Sequence, residues 1–150
     1  MNKEAIISGK WAAWLSLLSV LLWFISFAVI ASSGPLFYWS NLDNYIDYVN
    51  RTDQFWHILA KTFMLIFSLS FFVLHFSLFY SLRKIRNFYG ILGLVFLGMF
   101  TLLSSIHYFV QISSVRISLA EGSTSGIEHF LQANHASYSI AVNMLGWTLM

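Results

Sequence analysis

Six polar side chains fall within or at the mouth of long apolar runs: Lys61, His75, His107, Tyr108, Gln111 and His135. Polar groups in such surroundings are costly to desolvate, so their first reading is functional. An imidazole can give or take a proton near neutral pH. An ammonium can hold an anion, and a phenol or carboxamide can orient a ligand. Lys61, Ser68 and His75 recur at seven-residue spacing, which on a helix makes a stripe drifting by about 20° per heptad. Gly93, Ser104, His107, Tyr108 and Gln111 fall within about 100° of arc on the next helix, so they share a face. Asn134 and His135 open the final apolar segment, followed by Tyr138 and Asn143.

The elements that position these groups are set by composition. The chain has 150 residues, 58% hydrophobic and 19% aromatic, with 9% charged against roughly 25% in a soluble domain. A disordered chain would be polar and poor in aromatics. A disulfide scaffold needs cysteine, and there is none. The formal net charge of +2 is too dispersed for a nucleic-acid surface. What remains is an all-α polytopic transmembrane helix bundle. Uncharged runs predict spans over about 11–31, 58–82 and 88–112, each long enough to cross about 30 Å of hydrocarbon. The first is too long for a secretory signal, and Ser33-Gly34-Pro35 ends it. Asp53 or Thr52 can cap the second. Gly90, Gly93 and Gly98 suit the third to close packing in the bundle interior. The last segment, 136–150, offers about 22 Å of helix. It reads as a truncated fourth span of a chain that continues, giving three full spans plus a fragment in one transmembrane domain.

The few charges sort by loop. Lys3 and Lys10, and the cluster Arg83-Lys84-Arg86, mark the cytoplasmic side; Asp43, Asp47 and Asp53, then Glu121 and Glu128, mark the outside. The expectation is a multi-pass cell-membrane protein with a cytoplasmic N-terminus. In the first outer loop Leu42, Tyr45, Ile46 and Val49 recur at helical spacing opposite Asp43, Asn44, Asp47 and Asn50, which predicts a short amphipathic helix. In the second, Ser125 and Glu128 match a capping box before a short helix bearing Ile127, Phe130 and Leu131. Such helices could form a lid or simply seal the membrane surface. Asn50-Arg51-Thr52 matches a glycosylation sequon.

Depth decides which polar groups can meet. With span centres at residues 72 and 100, Lys61 and Gln111 lie about 16 Å outward, His107 about 10 Å outward and His75 about 4–5 Å inward. His75 and His107, about 15 Å apart along the normal, cannot share a metal, whose ligand bonds are about 2 Å long. The group that depth permits is Lys61, His107, Tyr108, Gln111 and His135, a polar ligand pocket beneath the outer loops. The same residues have a plainer reading: Lys61 snorkels, and Gln111 and Tyr108 bond between helices. His75, near the midplane, is either a proton relay or an interior hydrogen-bonded residue. No Walker loop, nucleophile elbow or dinucleotide fingerprint occurs. No cofactor, metal or nucleic-acid partner is expected; the expected partners are the lipid bilayer and a small apolar or amphipathic ligand. Two other readings stand beside it: a transport or proton-coupled component using His75, His107 and Lys61, and a membrane-embedded enzyme on a lipid-like substrate with His107 as acid/base. The second lacks an accompanying nucleophile, metal set or carboxylate pair.

The run His107-Tyr108-Phe109-Val110-Gln111, then Arg116, an acidic Gly-containing loop, Asn134-His135 and Gly146-Trp147-Thr148-Leu149-Met150 resembles uncharacterised bacterial multi-pass integral membrane proteins. The resemblance covers about residues 107–150. It implies a membrane location and a chain continuing past Met150, and transfers no activity or site residue.

Overall fold

A computed structural model describes residues 3–82 and 88–150. The basic cluster at Arg83, Lys84 and Arg86 lies outside the described residues. The order is α1 (Lys3–Ser33), α2 (Leu42–Arg51), α3 (Gln54–Ser81), α4 (Phe88–Val110), a π-helical turn (Gln111–Val115), α5 (Arg116–Ala120), a 3-10 turn (Ile127–His129) and α6 (Tyr138–Leu149). It is an all-α bundle. Three helical stretches, Lys3–Ser33, Gln54–Ser81 and Phe88–Ala120, are long and apolar enough to cross a membrane. They are compatible with a membrane location.

The pairing of α1 with α3 is inside out relative to a water-soluble domain. Buried positions of α1 are Gly9, Ala12, Ser16, Ser19 and Ser26, whereas Trp11 and Trp14 are 72% and 68% exposed. α3 repeats the pattern with Ala60, Ser68, Ser70 and Ser77 inside. Apolar side chains gain nothing by leaving lipid for protein, so contact goes to residues that let backbones approach. α1 and α3 form the most extensive helix pair. A Cβ placed on Gly9 would stand 3.1 Å from the Cβ of Ser77, and the hydroxyls of Ser16 and Ser70 bond at 2.8 Å. Ser19 and Ser26 each donate to the carbonyl one turn back, Leu15 and Leu22. α4 then packs between α3 and α6. Two of its glycines make no close approach: Gly93 faces open space, and Gly98 is in ordinary contact with Phe72. The close approach on this side is at Gly146 of α6, against Leu103 and Ser104.

Helix ends follow local chemistry. The Asp53 carboxylate accepts from the Phe55 N–H at 2.9 Å and starts α3. Ser137 starts α6 by accepting from Ile140. The third stretch runs past residue 112, through Arg116, to Ala120. Hydropathy weakens at Arg116, but the stop signal is Gly122, in left-handed backbone at φ 68°. There Ser123 N–H reaches Ser118 O at 2.9 Å and Gly122 N–H reaches Leu119 O at 3.3 Å, a Schellman closure that glycine permits. In the second loop the cap residue is Gly126, at φ 76°, and no side chain caps the turn. Ser125 therefore builds no capping box, and the segment is a single 3-10 turn.

At one end of the bundle the two connecting segments pack on each other. α2 is amphipathic as its spacing requires, and Asn41 caps it by accepting from Asn44 N–H at 2.9 Å. Tyr45 enters a cluster with Val115, Ile127 and Leu131, flanked by Phe37, Trp39, Leu42 and Val49. Burial, with a lesser contribution from Tyr48, pushes the Tyr45 phenol up from 10.0 to about 12. Its folded value lies above its unfolded one, so this contribution is complete below pH 10 and is lost as pH rises through about 12. Alkaline titration in detergent should show α2 release and phenolate absorbance together across that window. Tyr45→Phe should abolish the step.

Candidate functional site

The end of the bundle capped by α2 contains two adjoining cavities. The first, about 370 Å³, lies under α2 and is walled by Trp23 and Phe27 of α1, Phe37, Tyr45 and Tyr48, His57, Ala60, Lys61 and Met64 of α3, and Tyr108 of α4. The second, about 650 Å³, is walled by the polar face of α2 with Asp47 and Arg51, by Asp53, and by the Gly34-Pro35 corner. Tyr48 and His57 belong to both walls. The Tyr48 hydroxyl meets His57 Nε2 at 3.3 Å, and the rings pack edge to face. Burial raises the Tyr48 phenol above its ordinary value, which keeps it a neutral donor or acceptor at this wall.

Lys61 projects from α3 into the smaller cavity. Its ammonium makes no hydrogen bond or ion pair among the described residues. The ion pairs found there are Arg51 with Asp47 at 3.6 Å and His129 with Glu128 at 3.8 Å. His57, one helical turn before Lys61, and His107 lie within electrostatic reach of that ammonium. Both are bases rather than counter-ions.

The six residues singled out from sequence divide four ways. Lys61 and Tyr108 line the cavity. His107 and Gln111 are instead buried in the seam between α4, α6 and the second loop. Gln111 donates to Phe130 O and to Ser139 Oγ at 3.0 Å, and its Oε1 accepts from Gln132 N–H at 3.2 Å. One side chain thus ties the π turn to the loop and to α6. His107 Nδ1 stands 2.8 Å from Ser139 O and 2.7 Å from Ser139 Oγ. A carbonyl only accepts, so Nδ1 carries the proton and shares it between both oxygens. Ser139 therefore receives a proton bond from the imidazole and is not activated by that nitrogen. His135 is exposed in the turn before α6 and lies outside the cavity wall. His75 spends Nδ1 on Phe71 O at 2.9 Å in its own helix, with its ring 4.2 Å from Phe71.

Residues that spacing did not flag include His57, Tyr48 and Ser139. His57 carried a readable sign, its i,i+4 relation to Lys61. Tyr48 sits at the edge of the apolar stripe of α2, and Ser139 is one of many serines, with nothing local to single it out. No group of three or more His, Asp or Glu side chains placed to hold a metal occurs among the described residues. No protein-family model, curated protein or solved structure matches the chain.

Gln111→Ala removes partners from Phe130 O, Gln132 N–H and Ser139 Oγ. An unsatisfied buried polar group costs about 1–3 kcal/mol. The variant should lose a few kcal/mol of stability (~2–4) in detergent unfolding, with new protease cleavage around residues 127–137.

Proposed function

We propose that the protein is a multi-pass membrane protein that binds a small anionic amphipathic ligand beneath α2, acid group on Lys61 and apolar body among the aromatic rings. The carrying observation is Lys61: an ammonium facing a cavity walled by Trp23, Phe27, Phe37, Tyr45, Tyr48 and Tyr108, with no carboxylate paired to it. A cation in such surroundings is costly unless it is paired. A ligand carboxylate or phosphate would supply the pair and a charge-assisted bond. The volume of about 370 Å³ is within the range of small-molecule sites. The loop charges support a cell-membrane location with the N-terminus cytoplasmic and α2 outside, which puts the cavity at the outer membrane–water boundary.

Ligand stabilisation in neutral detergent tests the binding reading. Decanoate should raise the unfolding temperature saturably. Lys61→Met should weaken its apparent affinity about tenfold or more, from a charge-assisted bond of about 1.5–3 kcal/mol. Decanol should be insensitive to the substitution. Equal decanoate response in both proteins would refute the role of Lys61. Orientation is tested separately, because the chain has no cysteine: Ser123→Cys should react with an impermeant maleimide on intact cells and Asn87→Cys should not. The reverse labelling would invert the topology.

A further inference from the structure

The seam between α4 and α6 holds three buried polar atoms with no hydrogen-bond partner: Ser104 Oγ, His107 Nε2 and Asn143 Oδ1. Their residues are 1%, 1% and 8% exposed. Among the described residues no other buried side-chain polar atom is left so. Ser19, Ser26 and Ser68 each turn the hydroxyl back to a carbonyl of their own helix, as does Thr101 of α4. Ser104 does not.

The register of the two helices brings the three residues to one stretch of the seam. Ser139 of α6 is bonded to His107. Gly146, two turns on, lies against Ser104, with its Cβ position 3.4 Å from Oγ. Asn143 stands between Ser139 and Gly146 on the same face of α6, so it is level with the step from His107 to Ser104.

Their bonding capacities are complementary to one small molecule. With Nδ1 carrying the proton, His107 Nε2 presents a lone pair. Asn143 Oδ1 also accepts, and Ser104 Oγ–H has a proton to give. We infer that this seam is a binding site for a single internal water, which donates to His107 Nε2 and Asn143 Oδ1 and accepts from Ser104. Three bonds is the usual complement of a buried water. A cation fits less well: the site has no carboxylate, and burying an unpaired charge costs far more than burying water. The water makes His107 an acceptor on one side and a donor on the other, and so fixes its tautomer and ring plane. Asn143 also stands beside the Tyr108 phenol, which lines the proposed ligand cavity, but the water does not depend on that reading.

Solid-state NMR of the whole chain, 15N-labelled at histidine and reconstituted in bilayers of deuterated lipid, tests the site. His107 should show the Nδ1–H tautomer and receive water polarisation at Nε2. Ser104→Ala should reduce that transfer and Asn143→Leu should abolish it, with the His75 signals, which report folding, unchanged. A Nε2–H tautomer, absence of transfer in the wild-type chain, or transfer undiminished in both variants would overturn the proposal.

Discussion

Helices in hydrocarbon cannot be driven together by hiding leucine from water, and the pairing of α1 with α3, on which the bundle is built, follows from that constraint. Where α1 meets α3 the surfaces are made of glycine, alanine and serine and the bulky side chains point away, whereas α4 also buries Leu97, Phe100 and Tyr108. α1 shows it most plainly, with Ser26 at 1% exposed and Trp11 at 72%. Close approach at Gly9 brings the α1 and α3 backbones near enough for Ser16 and Ser70 to bond. Dispersion between well-fitted backbones and a few hydroxyl bonds replace the hydrophobic term that a soluble core would use.

One end of the molecule obeys the ordinary rule instead. Tyr45, Val115, Ile127 and Leu131 form an apolar cluster beneath polar residues, as α2 has a wet face to set against a dry one. The π turn belongs to this region. Extra residues per turn are a local irregularity that positions side chains, and here Gln111 and Val115 are the two it buries. Gln111 supplies the polar link to the second loop while Val115 supplies the apolar one. The cavity beneath α2 is roofed by this assembly, so its shape depends on both connecting segments.

The fold was legible because charge scarcity and helical periodicity are strong signals. The three long helices, α2 and its buried face, and the Asp53 cap follow from residue type and spacing. The helix contacts were less legible. Glycine-rich α4 drew attention, yet the tightest approach is at Gly9, whose meaning depends on Ser77, 68 positions away (roughly nineteen turns of continuous helix). The candidate site was legible in part. Depth arithmetic placed Lys61, His107, Tyr108 and Gln111 at one end of the bundle, and the structure keeps them there. Arithmetic along an axis says nothing of rotation about it, which is why Lys61 and Tyr108 face the cavity while His107 and Gln111 face α6. His135 belongs to a turn, where periodicity gives no direction.

The wall shared by the two cavities has an electrostatic consequence. The larger chamber carries Asp47 and Asp53 against Arg51 alone, so its charged residues sum to a negative field at neutral pH. An anion entering from water by that chamber would be slowed before reaching Lys61. One already dissolved in the bilayer, its tail among acyl chains, meets no such barrier. For the proposed ligand, such a field would favour anions that partition into the membrane first.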